Sequence, residues 1–137
     1  MAQTLDITNY DAGRQDVLFA KATLKTGTGY DTVTQETLKA IAVPAGAIVL
    51  GGYVYVSDAT TASADLDVGD GDDTDRYSPT PVNIDATGLT ALTATGYKYT
   101  TDDTIDFTTL AANPAADGVI EVGIWYIIEG RAAFVQK

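Results

Sequence analysis

Residues 119–128 read VIEVGIWYII, and the side-chain alternation of that decamer settles the class of fold. Successive side chains of an extended strand point to opposite sides. Ile120, Val122, Ile124, Tyr126 and Ile128 therefore share one face, and it is apolar from end to end. Val119, Glu121, Gly123, Trp125 and Ile127 share the other, which is half-apolar. Such a strand is covered on both sides, by a part of its own chain or by a neighbouring subunit, so Glu121 and Trp125 are interface candidates. At ten residues with an acid inside, the run is too short to cross a bilayer as a helix.

Outward from this strand the same pattern repeats. Asp117-Gly118 just before it is a hairpin signal, ending a loop that begins at Asn113-Pro114. Residues 104–110 (TIDFTTL) oppose Ile105 and Phe107 to Asp106 and Thr108. Residues 64–69 (ADLDVG) turn Ala64, Leu66 and Val68 inward and Asp65 and Asp67 outward. Residues 47–57 (AIVLGGYVYVS) form a long strand whose Gly51-Gly52 pair predicts a bulge. Beyond it Val54 and Val56 oppose Tyr53 and Tyr55.

Pro44-Ala45-Gly46 is a turn, since proline presets φ and glycine accepts positive φ. It follows a strand at 37–43 (TLKAIAV). Residues 17–25 (VLFAKATLK) are another strand, with Leu18, Ala20, Ala22 and Leu24 against Lys21, Thr23 and Lys25; residues 26–30 (TGTGY) are a loop. A strand edge is expected at Gly96–Thr101 (GYKYTT). Residues 82–95 read either as a short strand and turn or as one helical turn.

The sum is seven or eight strands, no convincing helix, and thirteen glycines as turn punctuation. This predicts an all-β, antiparallel β-sandwich, jelly-roll-like in the first instance and immunoglobulin-like in the second. Residues 1–16 are polar and read as an N-terminal arm. Residues 17–137 read as a single β-sandwich domain, a size that can bury one core.

Composition narrows the function. Eight Lys plus Arg stand against nineteen Asp plus Glu, for a formal charge of −11. Only Glu36, Glu121 and Glu129 are glutamates, and acid supplied mainly as Asp points to turns. A surface this negative repels phosphate, so no nucleic-acid partner is expected. No basic segment leads into an apolar one at the N-terminus, so a cytoplasmic site of synthesis and no membrane partner are expected.

The chain has neither Cys nor His. That excludes a Ser-His-Asp triad, a Cys-His dyad, a disulfide framework and the usual zinc sites. No enzyme activity and no cofactor are expected; a glycosidase would need two carboxylates facing each other in a cleft. Asp70, Asp72, Asp73 and Asp75 crowd between glycines and offer oxygen at a density that Ca²⁺ could use. The EF-hand pattern is not met, and the alternative is a solvated Asp-rich turn. Tyr53, Tyr55, Tyr97 and Tyr99 join the interface candidates, because Tyr supplies large area with a polar tip.

Three segments resemble small structural proteins of tailed bacteriophages: residues 41–59 (IAVPAGAIVLGGYVYVSDA), 64–77 (ADLDVGDGDDTDRY) and 117–128 (DGVIEVGIWYII). The shared marks are a VPAG turn before a long strand, a VGDG…DRY segment and a final apolar strand. The resemblance implies a jelly-roll-like capsid decoration, or cement, protein. It further implies a homotrimer on the outer surface of the virion, held to the major capsid protein of the head. The arm would then contact the lattice and the aromatic strand faces the other copies. The alternative is a tail, fibre or head-fibre module that binds a receptor or glycan, with an aromatic groove near Tyr97, Tyr99 or Trp125.

Overall fold

The computed structural model describes residues 16–26, 37–61, 63–111 and 118–129. The arm up to residue 15, most of the 26–30 loop and residues 112–117 of the Asn113-Pro114 loop lie outside the described residues. Eight strands are described: β1 (Leu18–Lys25), β2 (Thr37–Val43), β3 (Ala47–Asp58), β4 (Ala64–Gly69), β5 (Val82–Asn83), β6 (Gly88–Leu92), β7 (Asp103–Ala111) and β8 (Val119–Ile128). None of the described residues is helical. Residues 82–95 resolve as two short strands.

The strands form two antiparallel four-stranded sheets, β1-β8-β3-β6 and β2-β7-β4-β5. The pairings are nested. β4 pairs with β5, β3 with β6, β2 with β7 and β1 with β8. This is one long hairpin of eight strands rolled into two layers, the jelly-roll order, and not the immunoglobulin one. β8 and β7 sit inside their sheets, between β1 and β3 and between β2 and β4.

The core is what the alternation predicts. Ile120, Val122 and Ile124 of β8, Val54 and Val56 of β3, Leu66 and Val68 of β4, and Ile105 and Phe107 of β7 are all buried. Each contributes about 1.5–3 kcal/mol by leaving water. The Gly51-Gly52 pair does mark a bulge: the β3–β8 register slips between Val49 and Gly51, and Leu50 turns out to solvent.

Gly96–Thr101 is not a strand. It touches the sheets through one isolated bridge, Lys98 with Ile48. The Tyr99 amide donates to the Ala47 carbonyl, and the Tyr99 carbonyl accepts from the Gly46 amide. The alternation of Tyr97 and Tyr99 that looked like a strand instead serves a buried polar cluster.

A candidate interface on the outer face of the first sheet

In β1, β8 and β6, and in β3 from Gly52 on, the even side faces the core and the odd side faces solvent; before its bulge β3 has the opposite parity, with Ala47 and Val49 buried and Leu50 exposed. Register then assembles the odd side into rows. Phe19 pairs with Trp125, which pairs with Gly51. Lys21, Gly123, Tyr53 and Ala91 form the next row, and Thr23, Glu121, Tyr55 and Leu89 the third. Phe19, Tyr55, Leu89 and Trp125 are 41–71 % exposed, too bare for core side chains.

Three rings cluster. Trp125 lies 5.8 Å from both Phe19 and Tyr53, centroid to centroid, and Phe19 stacks on Tyr53 at 6.3 Å. Gly123 makes this possible. A Cβ there would stand 2.6 Å from the Tyr53 ring and 2.9 Å from Phe19, so only glycine lets both rings lie on the sheet. Between Tyr53, Tyr55, Leu89, Ala91, Glu121 and Trp125 runs a shallow, mainly apolar groove of about 500 Å³.

One polar group is set into this face. The Tyr53 hydroxyl donates to Glu121 Oε1 at 2.5 Å, and Lys21 Nζ donates to Oε2 at 3.3 Å. The Tyr53 bond, then Lys21, holds the Glu121 carboxyl below its ordinary pKa. The same bond to Glu121 raises the Tyr53 hydroxyl. The carboxylate is thus charged at neutral pH and matched by one cation. Tyr53, Tyr55, Glu121 and Trp125 are therefore brought together as one surface. Sequence reasoning missed Phe19 and Leu89. Phe19 has the same parity as Lys21, a signal that was present, whereas Leu89 falls where no periodicity could be read.

Tyr97 and Tyr99 do not belong to this surface. Tyr99 is buried, and its hydroxyl donates to Asp70 Oδ2 at 2.9 Å and bonds the Tyr77 hydroxyl at 2.7 Å. Tyr97 meets the Tyr99 ring edge-on at 5.0 Å and carries the Arg76 guanidinium over its face at 3.7 Å. Burial, then the neighbouring hydroxyl, raises the Tyr99 pKa, and burial pushes Tyr77 up to about 12.

The acidic loop is not a uniformly solvated turn either. Asp70 is buried, and it accepts from Arg76 Nε and Nη2, from Tyr99 and from the backbone amides of Asp72 and Asp73. Burial alone would raise its pKa. The bonds from Arg76, Tyr99 and the Asp72 amide outweigh that, and the carboxyl is held below the usual range. Asp73 faces Arg76 at 3.9 Å, while Asp72 and Asp75 are exposed. Among the described residues no three acidic side chains converge as a metal site.

The outer side of the second sheet is different in kind. Asp65, Asp67, Asp106 and Thr108 lie there as the alternation predicts, yet Asp67, Asp106 and Thr108 are buried. Asp67 pairs with Thr108 of β7 on one side. On the other, the 77–78 segment runs along β4, through bonds from the Tyr77 amide to the Val68 carbonyl and from the Val68 amide to Ser78 Oγ. Asp67 Oδ1 has no hydrogen-bond partner among the described residues. Burial raises the pKa of Asp67 and of Asp106.

Solved structures share this fold. A chain of the cyanophage Pam1 capsid asymmetric unit matches with a TM-score of 0.62 and 23 % identity, covering 93 % of this chain and 94 % of that one. A chain of the acidic stable capsid of Helicobacter pylori bacteriophage KHP30 matches at 0.60 and 18 %, covering 82 % and 87 %. One from the capsid of Ralstonia phage GP4 matches at 0.60 and 17 %, covering 93 % and 90 %. At these identities the likeness is one of fold. No protein-family model and no curated protein matches the chain.

Proposed function

We propose that the chain is a structural component of a phage virion, and specifically a decoration protein that binds the outside of the head. The observation that carries this reading is the bare aromatic face of the first sheet, on a fold found in solved phage capsids. Monomeric soluble proteins rarely leave such a contiguous apolar patch uncovered. Its one charged pair, Lys21–Glu121, is already matched, so covering it strands no lone charge.

In this reading the copies form a homotrimer through Tyr53, Tyr55, Glu121 and Trp125, with Phe19 and Leu89. Residues 1–16 hold the trimer to the major capsid protein. A protein that binds the assembled lattice and not its loose subunits stabilises the lattice by mass action. The net charge of −11 keeps it from competing for the packaged DNA.

Trp125 is the sole tryptophan of the chain, so its fluorescence reports on this face alone. Light scattering should give a trimer mass, and dilution to monomer should shift Trp125 emission to the red. Trp125→Ala or Leu89→Asp should yield a folded monomer that no longer sediments with heads. A wild-type monomer at high concentration, absent from purified heads, refutes the reading. The groove beside Trp125 favours a second reading, a glycan-binding virion module. Quenching of Trp125 by soluble oligosaccharides, with no oligomer formed, would replace the first reading by that one.

A further inference from the structure

We propose that the free edge of β1 is a strand-acceptor site. It takes an extended, acidic segment of a second protein and seats one of its aliphatic side chains between the two sheets. Four strands end the sheets: β1, β6, β2 and β5. β6 has five residues, β5 has two, and the β2 register slips between Lys39 and Ile41. Those are the devices by which natural sheets blunt an edge. β1 is neither short nor slipped, and its one such device is charge, the lysines Lys21 and Lys25. It runs eight residues, contains no proline, and pairs with β8 without a register shift. Every second residue of an antiparallel edge strand turns its N–H and C=O outward, and no described segment pairs with them.

Beside this edge the two sheets part. A slot of about 100 Å³ opens between β1 and β2, with Ala22, Leu24, Leu38, Ala40 and Phe107 as its apolar lining and Thr23 and Lys39 as its polar one. It is well below the ~300–1,000 Å³ that small-molecule sites need, and fits one side chain. Ala22 and Ala40 leave the room by being small.

Charge selects the occupant. Lys21 and Lys25 flank the edge on one side and Lys39 on the other, three of the five lysines in a chain of net charge −11. Among the described residues Lys25 and Lys39 have no ion pair, and both are exposed. Lysines on an edge reject another basic edge, including β1 of a second copy, and welcome carboxylates. An added strand that alternates acid with Leu, Ile or Val would set its acids beside the lysines and one aliphatic residue in the slot. This is recognition by strand addition, with backbone bonds supplying affinity and a pocket supplying specificity. The inference concerns the β1 edge, which adjoins the aromatic face at Phe19 and Lys21, and does not rest on the contact between copies proposed for that face.

The test titrates the isotope-labelled full chain with a blocked heptapeptide, Asp-Leu-Asp-Ile-Asp-Leu-Asp, and with its Lys-for-Asp counterpart. Amide shifts should be confined to Leu18–Lys25 and the slot residues. The acidic peptide should bind and the basic one should not. Lys25→Glu with Lys39→Glu should weaken binding by about tenfold or more, and Ala40→Leu, which fills the slot, should do so independently. Both variants alter partly or fully exposed positions, and an unchanged thermal midpoint shows that they fold. No binding, equal binding of the two peptides, or shifts centred on Trp125 each overturn the proposal. Loss of Trp125-dependent assembly leaves it standing.

Discussion

At the scale of single residues, aspartates with opposite environments set the response to acid. Asp70 is charged, buried and saturated with donors. Asp70→Asn removes the buried partner of Arg76, leaving it only the half-exposed Asp73 at 3.9 Å, and should cost about 3 kcal/mol. Tyr99→Phe, which removes one donor from Asp70 and one partner from Tyr77, should cost about 1–3 kcal/mol. Urea denaturation should return that ranking. Asp67 behaves in the opposite sense. Its folded pKa lies above its unfolded value, so its favourable contribution is present below the unfolded pKa and lost as pH rises through the folded one. Asp67→Asn should therefore stabilise the fold at neutral pH, and the gain should shrink at acid pH, as the folded carboxyl takes up its proton. Asp70, with its lowered pKa, supplies stability above the unfolded value that is lost as pH falls through the folded one. An equal effect of Asp67→Asn at both pH values would contradict the assignment.

At the scale of elements, close approach decides which substitutions a strand accepts. Gly123→Ala should retain the fold, at a cost of about 1–3 kcal/mol, while displacing the Tyr53 and Phe19 rings. A changed Trp125 emission in a folded protein whose melting temperature falls by several degrees would show it. Gly69→Ala should be worse, because its Cβ would collide with backbone atoms of Asp73 and Thr74 that cannot swing away. Phe107→Ala, in the middle of β7, should cost about 3–5 kcal/mol.

The same elements show what could be read in advance. Strands β1, β2, β3, β4, β7 and β8 announce themselves because one face is apolar at period two, and burial enforces that period. β5 and β6 are two and five residues long, too short for a period to emerge. The 96–101 segment mimics a strand because two tyrosines alternate, but Tyr99 gives its hydroxyl to Asp70 and Tyr97 lends its ring to Arg76 and Tyr99, neither serving a ladder with its side chain. The buried role of Asp70 was illegible for a related reason. An aspartate between glycines looks solvated until its partners, Arg76 six residues on and Tyr99 in a distant segment, are placed beside it. Of the candidate site, the odd-side residues of β3 and β8 were legible, and their union with Phe19 and Leu89 needed the register between strands.

At the scale of the whole molecule, two faces of unlike chemistry enclose one core. One is aromatic, with its single carboxylate matched; the other is crowded with Asp. With a net charge of −11, the compact state is strained by self-repulsion. Raising salt from low ionic strength should therefore raise the melting temperature before any specific ion effect intervenes. A flat response in calorimetry would mean that the acidic groups are already neutralised in pairs. If the aromatic face is the contact between copies, the same salt series should leave Trp125 emission unchanged.

The nested pairing has a consequence for synthesis. β8 is the last described strand and yet the middle of its sheet: without it, β1 touches neither β3 nor β6. A nascent chain on the ribosome thus holds half a sandwich with nothing at its centre until residue 128 has emerged. Folding waits for β8, and the slow, long-range closure expected of all-β topologies follows its emergence. A message truncated before Val119 should yield insoluble product, whereas one that runs past Ile128 should yield soluble protein.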